Sequence, residues 1–178
     1  MVPIRVVSIV GHKNAGKTTL TVALAAEFVR QGRRVGTIRH AEQATDVDTR
    51  DKDTWRHFHE GHASAVLFNA PGFRVLFERA EDGPADVGAL VRRYHQKCDI
   101  VVVEGLADPA MPRIEVHRSK LAPKPMFDPA TSNPSHWIAL LTDDATIDFP
   151  FPTFRYTDTA WLVTLAAMAW ERAMLITG

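Results

Sequence analysis

The stretch Ile4-Arg5-Val6-Val7-Ser8-Ile9-Val10-Gly11-His12-Lys13-Asn14-Ala15-Gly16-Lys17-Thr18 decides how the rest of the chain is read. Its first seven residues form an Ile/Val-rich run, suited to a strand buried on both faces. The next eight fit G-x-x-x-x-G-K-[ST] at each fixed position. From Lys17 to Gln31, Leu20, Ala23, Leu24 and Phe28 recur at helical spacing, and Gly32 is a stop signal preceded by Arg30. Strand, loop and helix in that order are the setting a phosphate-binding loop requires. Gly11 and Gly16 allow torsions that let the N–H groups of His12, Lys13, Asn14 and Ala15 curl around a phosphate. The helix contributes its positive dipole end. Lys17 brings a point charge to the β/γ-phosphates, and the Thr18 hydroxyl, with Thr19 beside it, is placed to ligate Mg²⁺. A nucleoside triphosphate is the expected ligand.

Working outward, Val35 to Ile38 reads as a second strand and completes a β-α-β unit. The polar stretch from Ala41 to Lys52 has no apolar period and is predicted to be a loop. Trp55 and Phe58 begin a short helix ending near Gly61. Ala65 to Phe68 and Phe73 to Phe77 flank Asn69-Ala70-Pro71-Gly72, which predicts a β-hairpin. Val87, Leu90, Val91 and Tyr94 form a helical stripe. Ile100 to Val103 reads as a central parallel strand, with Ile114 to Val116 and Trp137 to Leu141 as further strands. The segment from Ala122 to Pro134 contains four prolines and is expected to be an ordered loop. Pro150 and Pro152 bracket another, and Asp158 to about Met174 is predicted to be the closing helix. The pattern points to a three-layer α/β P-loop NTPase fold with a mostly parallel sheet and a hairpin insertion. Residues 1–178 are expected to form one domain. The hairpin near residues 64–78 carries Val66, Phe68, Phe73, Val75 and Phe77, more apolar side chains than a small domain's edge needs. It is therefore the candidate dimerisation element.

Composition narrows the function. Of 178 residues 46% are apolar and 24% charged, enough for a core without metal or disulfide staples. Lys plus Arg and Asp plus Glu both number 21, so net charge offers no footprint for nucleic acid or an anionic membrane. Cys98 is the only cysteine, which excludes an intrachain disulfide and a tetrathiolate zinc site. The N-terminal stretch lacks a signal-peptide pattern. The apolar run from Trp161 to Trp170 meets Glu171 and Arg172 too soon for a spanning helix. A soluble cytoplasmic protein is expected.

A second motif, Ile100-Val101-Val102-Val103-Glu104-Gly105, is an apolar strand ending in a carboxylate. P-loop proteins hold their metal's outer shell this way, more often with Asp. Together the pieces resemble the molybdopterin-guanine dinucleotide biosynthesis protein B (MobB-like) family. Arg39-His40 matches its Lys/Arg-His after the second strand. The acidic motif D-x-D-x-x-G-K-D-[ST] is matched by Asp46-Val47-Asp48-Thr49-Arg50-Asp51-Lys52-Asp53-Thr54. Val103-Glu104-Gly105, Arg113-Ile114-Glu115-Val116 and Leu141-Thr142-Asp143 match its later elements in the same order. The resemblance implies a GTP-binding accessory protein with weak hydrolysis, usually a homodimer. Such a protein assists the partner enzyme that attaches GMP to molybdopterin. The chain departs from the family pattern at Ala41-Glu42-Gln43, where a further His is common. It also departs at Asp51, where Gly is usual, and at Glu60-Gly61-His62, which replaces A-G-A.

Read without the family, Asp46, Asp48 and Asp53 still occupy the place of a switch segment. One carboxylate could bind Mg²⁺ and another orient attacking water. The metal set is accordingly Thr18, Asp48, Asp53 and Glu104, with Asp53 and Glu104 as catalytic candidates; a helix cap is the other reading of Asp53. Asp143 could accept from the N1 and N2 donors of guanine, or simply cap its strand. His57, His59 and His62 do not share a helix face and read as packing or solvated residues. Arg113, Arg118, Lys120 and Lys124 suit an anion clamp or a solvated face. Trp161, Leu162, Leu165, Met168 and Trp170 suit the core or a dimer contact. A small-molecule kinase and a nucleotide-gated scaffold are the alternative functions.

Overall fold

The computed structural model describes residues 2–41, 47–80, 86–106, 108–158 and 160–177. They belong to two compact units, one spanning Met1–His40 and Asp86–Gly178, the other Ala41–Ala85. Asp46, Glu42 and Gln43 lie outside the described residues. In chain order the elements are β1 (Ile4–Val10), α1 (Lys17–Arg30), β2 (Val35–Arg39), α2 (Asp53–His59), β3 (Ala65–Ala70), β4 (Phe73–Glu78), α3 (Val87–Tyr94) and β5 (Ile100–Glu104). They continue with β6 (Arg113–Val116), a 3₁₀ turn (Pro134–His136), β7 (Trp137–Thr142), β8 (Thr153–Arg155), α4 (Trp161–Arg172) and β9 (Met174–Ile176).

In the larger unit the sheet order is β2-β5-β1-β6-β7-β8, and all of these neighbours run parallel. β9 adds to β1 antiparallel, pairing Met174–Ile176 with Ile4–Val6. β6 pairs with the other end of β1, Ser8 to Val10. The inner strands are buried along almost their whole length because side chains cover both faces. On one face Val7, Ile9 and Ile114 pack with Leu24 and Phe28 of α1 and Leu165 of α4. On the other, Val6, Val101 and Val103 pack with Val87 and Val91 of α3 and with Met111. This is the expected three-layer α/β arrangement.

Helix ends follow the local chemistry. Gly32 (φ 78) closes α1, with its N–H on the Val29 carbonyl and that of Arg33 on Phe28, the paired bonds of a Schellman stop. Asp86 caps α3 by accepting from the Ala89 N–H at 3.0 Å. Of the apolar stripe on α4, Leu165 is fully buried, whereas Trp161, Leu162, Met168 and Trp170 are partly buried against the same core. Three features differ from the sequence reading. The closing helix starts at Trp161, not Asp158, because Asp158 accepts from the Arg155 N–H in the preceding turn. After Arg172 the chain extends at Ala173 (ψ 144) and becomes β9, which buries Ile176 against β1. The stretch after Pro152 holds β8, a three-residue edge strand that a flanking proline tolerates. Among the described residues no helix is long and apolar enough to cross a membrane.

In the smaller unit β3 and β4 form the expected hairpin, with Gly72 at φ 90 after Pro71 in the turn. The register pairs Val66 with Phe77 and Phe68 with Val75. Phe58 of α2 lies 6.3 Å from Phe77, and Arg79 donates to the Phe58 and Ala63 carbonyls. Phe68 and Phe73 remain exposed, as do Leu67 and Leu76 on the opposite face.

The starts of β2 and β5 are pinned by Arg34 and Asp99. The guanidinium donates to both carboxylate oxygens, and the Arg34 N–H donates to Oδ2 at 2.7 Å. Hydrogen bonding to Arg34 holds the Asp99 carboxyl down to about 2. A carboxyl lowered on folding adds stability above its unfolded value of about 3.9, and that stability is lost as pH falls towards 2. Asp99→Asn should therefore flatten the acid limb of a stability-versus-pH curve between about pH 4 and 2. Urea midpoints measured across that window test this; an unchanged slope would refute the assignment.

Candidate functional site

The chain leaves β1 at Gly11 with φ 145, a conformation that side-chain-bearing residues rarely adopt. A Cβ there would lie 2.3 Å from the Val116 carbonyl oxygen of β6, so only glycine fits between these neighbouring strands. Asn14 (φ 66) and Gly16 (φ 107) continue the curl. The Ala15 N–H donates to the His12 carbonyl at 3.1 Å, and Gly16 is the N-cap of α1 without any side-chain cap bond. An uncapped helix start leaves backbone N–H groups available to an anion. Lys17 folds back over the loop, its Nζ donating to the Gly11 and His12 carbonyls at 3.0 Å each. That position is one a phosphate oxygen would compete for.

Glu104 ends β5 beside the loop, in register with Ile9 of β1 and Arg39 of β2. It is buried, and its Oε1 accepts from the Thr18 hydroxyl at 2.5 Å. The next residue, Gly105 (φ 87), donates its N–H to the Ile9 carbonyl, while the Glu104 carbonyl accepts from His40. A Cβ on Gly105 would crowd the His40 carbonyl at 3.0 Å. The two sequence motifs thus meet through Thr18 and Glu104, which line a cavity of about 340 Å³ together with Val22, Ala25, Ile38 and Arg39. A hydroxyl and a carboxylate oxygen are hard donors suited to Mg²⁺, which takes few protein ligands and relies on water and phosphate for the rest. Among the described residues no group of three His, Cys, Asp or Glu is disposed to hold a metal ion.

On the other side of β1, Asp143 follows β7. Its Oδ1 accepts from the Ser119 N–H at 2.8 Å and its Oδ2 lies 3.8 Å from the Arg118 guanidinium. The Ser119 N–H, above all, holds this carboxyl below the usual aspartate range. Arg118 also donates to the Ala15 carbonyl of the loop at 3.4 Å and lies over the Tyr156 ring. Two buried groups that sequence reading passed over stand behind it. Glu115 accepts from the Met126 and Phe127 N–H groups, and His117 lies between the Thr142 hydroxyl and the Ala122 carbonyl. Burial raises the Glu115 carboxyl, an effect the two amide donors oppose. The available signal was a Glu and a His flanking Val116, next to the buried Ile114.

The remaining candidates belong to the smaller unit. Asp53 is the first residue of α2 and Lys52 its N-cap, so Asp53 is not the cap itself, although its charge suits the first turn. Asp48 accepts from the Thr49 N–H through Oδ1, and its Oδ2 is buried with no hydrogen-bond partner among the described residues. Asp51, where the family pattern has Gly, holds a left-handed φ of 65. Asp tolerates that region better than most residues, which accounts for the exchange. Trp55 and His59 stack at 4.4 Å, a packing role for one of the three histidines.

Fold and loop together define a P-loop α/β protein. Over residues 6–143 the chain matches the family model described as Molybdopterin guanine dinucleotide synthesis protein B, and it belongs to that MobB family. It is 27% identical over 111 residues to the molybdopterin-guanine dinucleotide biosynthesis adapter protein of Escherichia coli, a stretch covering 62% of this chain and 63% of that one. A putative adapter protein of the same description from Methanocaldococcus jannaschii is 25% identical over 112 residues, 63% of this chain and 44% of that one. The chain thus spans about half to two thirds of these curated relatives. The crystal structure of Bacillus subtilis MobB superposes with a TM-score of 0.71 at 19% identity, covering 93% of this chain and 98% of that one. The MobB homolog from Bacillus stearothermophilus gives 0.64 at 21%, over 92% and 97%. These two likenesses establish the fold.

Gly11→Ala should destabilise the protein more than Gly32→Ala. Both positions have positive φ, which costs about 1–2 kcal/mol for a side chain, but only Gly11 faces a backbone oxygen. Denaturant midpoints for the two variants check this, and equal losses would mean the β1–β6 approach is not tight.

Proposed function

We propose that the protein is a GTP-binding adapter, with weak Mg²⁺-dependent GTP hydrolysis, in molybdopterin guanine dinucleotide synthesis. The observation that carries this reading is the Thr18–Glu104 bond beside a Lys17 held on the loop's own carbonyls, in a chain of the MobB family. In this reading the loop amides from His12 to Thr19 bind the β- and γ-phosphates. Lys17 exchanges two carbonyl partners for phosphate oxygens. Asp143 accepts from the guanine edge. Thr18 and Glu104 hold Mg²⁺, which when bound neutralises charge developing on the phosphates. Asp48 is proposed, on the family pattern alone, as a further metal contact. Asp53 is proposed to accept a proton from the attacking water. The partner is the enzyme that attaches GMP to molybdopterin, and the setting is cytoplasmic.

Single-turnover GTP hydrolysis with saturating Mg²⁺ tests the catalytic assignments. Glu104→Gln keeps the shape but removes the charge, and Asp53→Asn does the same at the start of α2. Each should slow hydrolysis about tenfold or more, the low end of positioned acid–base effects, with modest loss of GTP affinity. A wild-type rate in Asp53→Asn means that Asp53 only serves the helix; a wild-type rate in Glu104→Gln makes Glu104 structural.

We further propose a homodimer through the hairpin. Phe68 and Phe73 lie on one face of the ribbon and Leu67 and Leu76 on the other, all at least two-fifths exposed. An apolar ribbon of this kind can be self-complementary about a twofold axis. Light scattering should show a dimer at tens of micromolar, and Phe68→Glu with Phe73→Glu should yield monomer; a monomeric wild type would contradict the proposal.

A further inference from the structure

We infer that Arg118 is the shelf on which the nucleotide's base lies, and that it links the base to the phosphate loop; this rests on the nucleotide-binding reading above. The guanidinium carbon is 3.4 Å from the centroid of the Tyr156 ring, so the aromatic ring takes up one face of the cation. The side chain nevertheless keeps 37% of its exposure, so part of it stays open to a ligand. Along its edges Nε reaches the Ala15 carbonyl of the loop and Nη1 approaches Asp143 at 3.8 Å. A flat cation therefore bridges the phosphate-binding loop and a carboxylate suited to the donor edge of guanine. Guanidinium planes stack on aromatic faces, and nucleobases stack on guanidinium planes.

The shelf is held in advance of any ligand. The segment that follows Arg118 is tied down at Ser119 by Asp143, at Ala122 by His117, and at Met126 and Phe127 by Glu115. Because a carbonyl only accepts, His117 Nε2 carries the proton towards Ala122, and its Nδ1 accepts from the Thr142 hydroxyl in the neutral ring. Glu115 and His117 are both fully buried on or just after β6, so these anchors are shielded from water. Tyr156 is fixed in turn by donating its hydroxyl to the His117 carbonyl at 3.5 Å. A side chain so positioned loses little entropy when a base lands on it.

Calorimetric titration of the full chain with GTP, ATP and inorganic tripolyphosphate, each with Mg²⁺, tests the inference on Arg118→Ala, Arg118→Lys and Tyr156→Leu. Both Arg118 variants should lose about tenfold or more in GTP affinity, the scale of one lost base stack, while tripolyphosphate affinity stays within about twofold. Tyr156→Leu leaves the cation but removes its support, and should weaken GTP alone. Equal loss for GTP and tripolyphosphate would mean Arg118 serves the phosphate loop and not the base, and unchanged GTP affinity would overturn the shelf outright. A wild type that binds no nucleotide fails both readings together. One that binds ATP as tightly as GTP removes the guanine role of Asp143, and the shelf then stands if Arg118→Ala weakens both nucleotides.

Discussion

Val116 of β6 puts its carbonyl where a side chain on Gly11 would be, and the larger unit is arranged around that approach. With no Cβ at Gly11, β1 and β6 stay parallel neighbours to their carboxyl ends, and the chain can turn at once into the loop. The loop's carbonyls then face Lys17, its last glycine leaves the N-terminus of α1 bare, and Ala15 comes within reach of Arg118. Any larger residue would push the loop off the sheet and break these relations together.

β1 also divides the site. On one side β5 delivers Glu104 to Thr18; on the other the segment after β6 delivers Arg118 to Ala15, with Asp143 after β7 beside Arg118. The strand order β2-β5-β1-β6 places β1 where successive connections diverge to opposite sides, and parallel α/β sheets form their ligand crevices at such points. The proposed metal-and-phosphate half and base half of the site are consistent with that topology. The departure at Asp51 fits the same economy of local geometry, since a short polar residue takes over a left-handed position that the family pattern gives to glycine.

Much of this was legible from residue order. The phosphate loop, its strand and helix, the hairpin and the carboxylate after Val103 are contiguous segments whose spacing and turn residues encode their geometry, and each forms where its pattern predicts. β8 and β9 were not legible. Each is three residues long, too short to show a period; β8 forms on the open edge of β7, and β9 forms where β6, which pairs only with Ser8 to Val10, leaves the start of β1 uncovered. The start of α4 was misplaced for a related reason: Asp158 is a good capping residue by type, yet its carboxylate is already engaged by Arg155.

Residue order alone specifies the class of fold, the family and the phosphate-loop motif with its strand and helix, because those depend on torsions and hydrogen bonds within a few residues. The contacts around Arg118 come instead from long-range packing. Arg118 meets a loop carbonyl 103 residues away, rests on Tyr156, and is braced by a buried Glu115 and His117 whose partners lie on a proline-rich segment. No local pattern specifies such contacts; they arise when parallel strands far apart in the chain are brought side by side, and buried polar groups must then find partners among whatever that packing supplies.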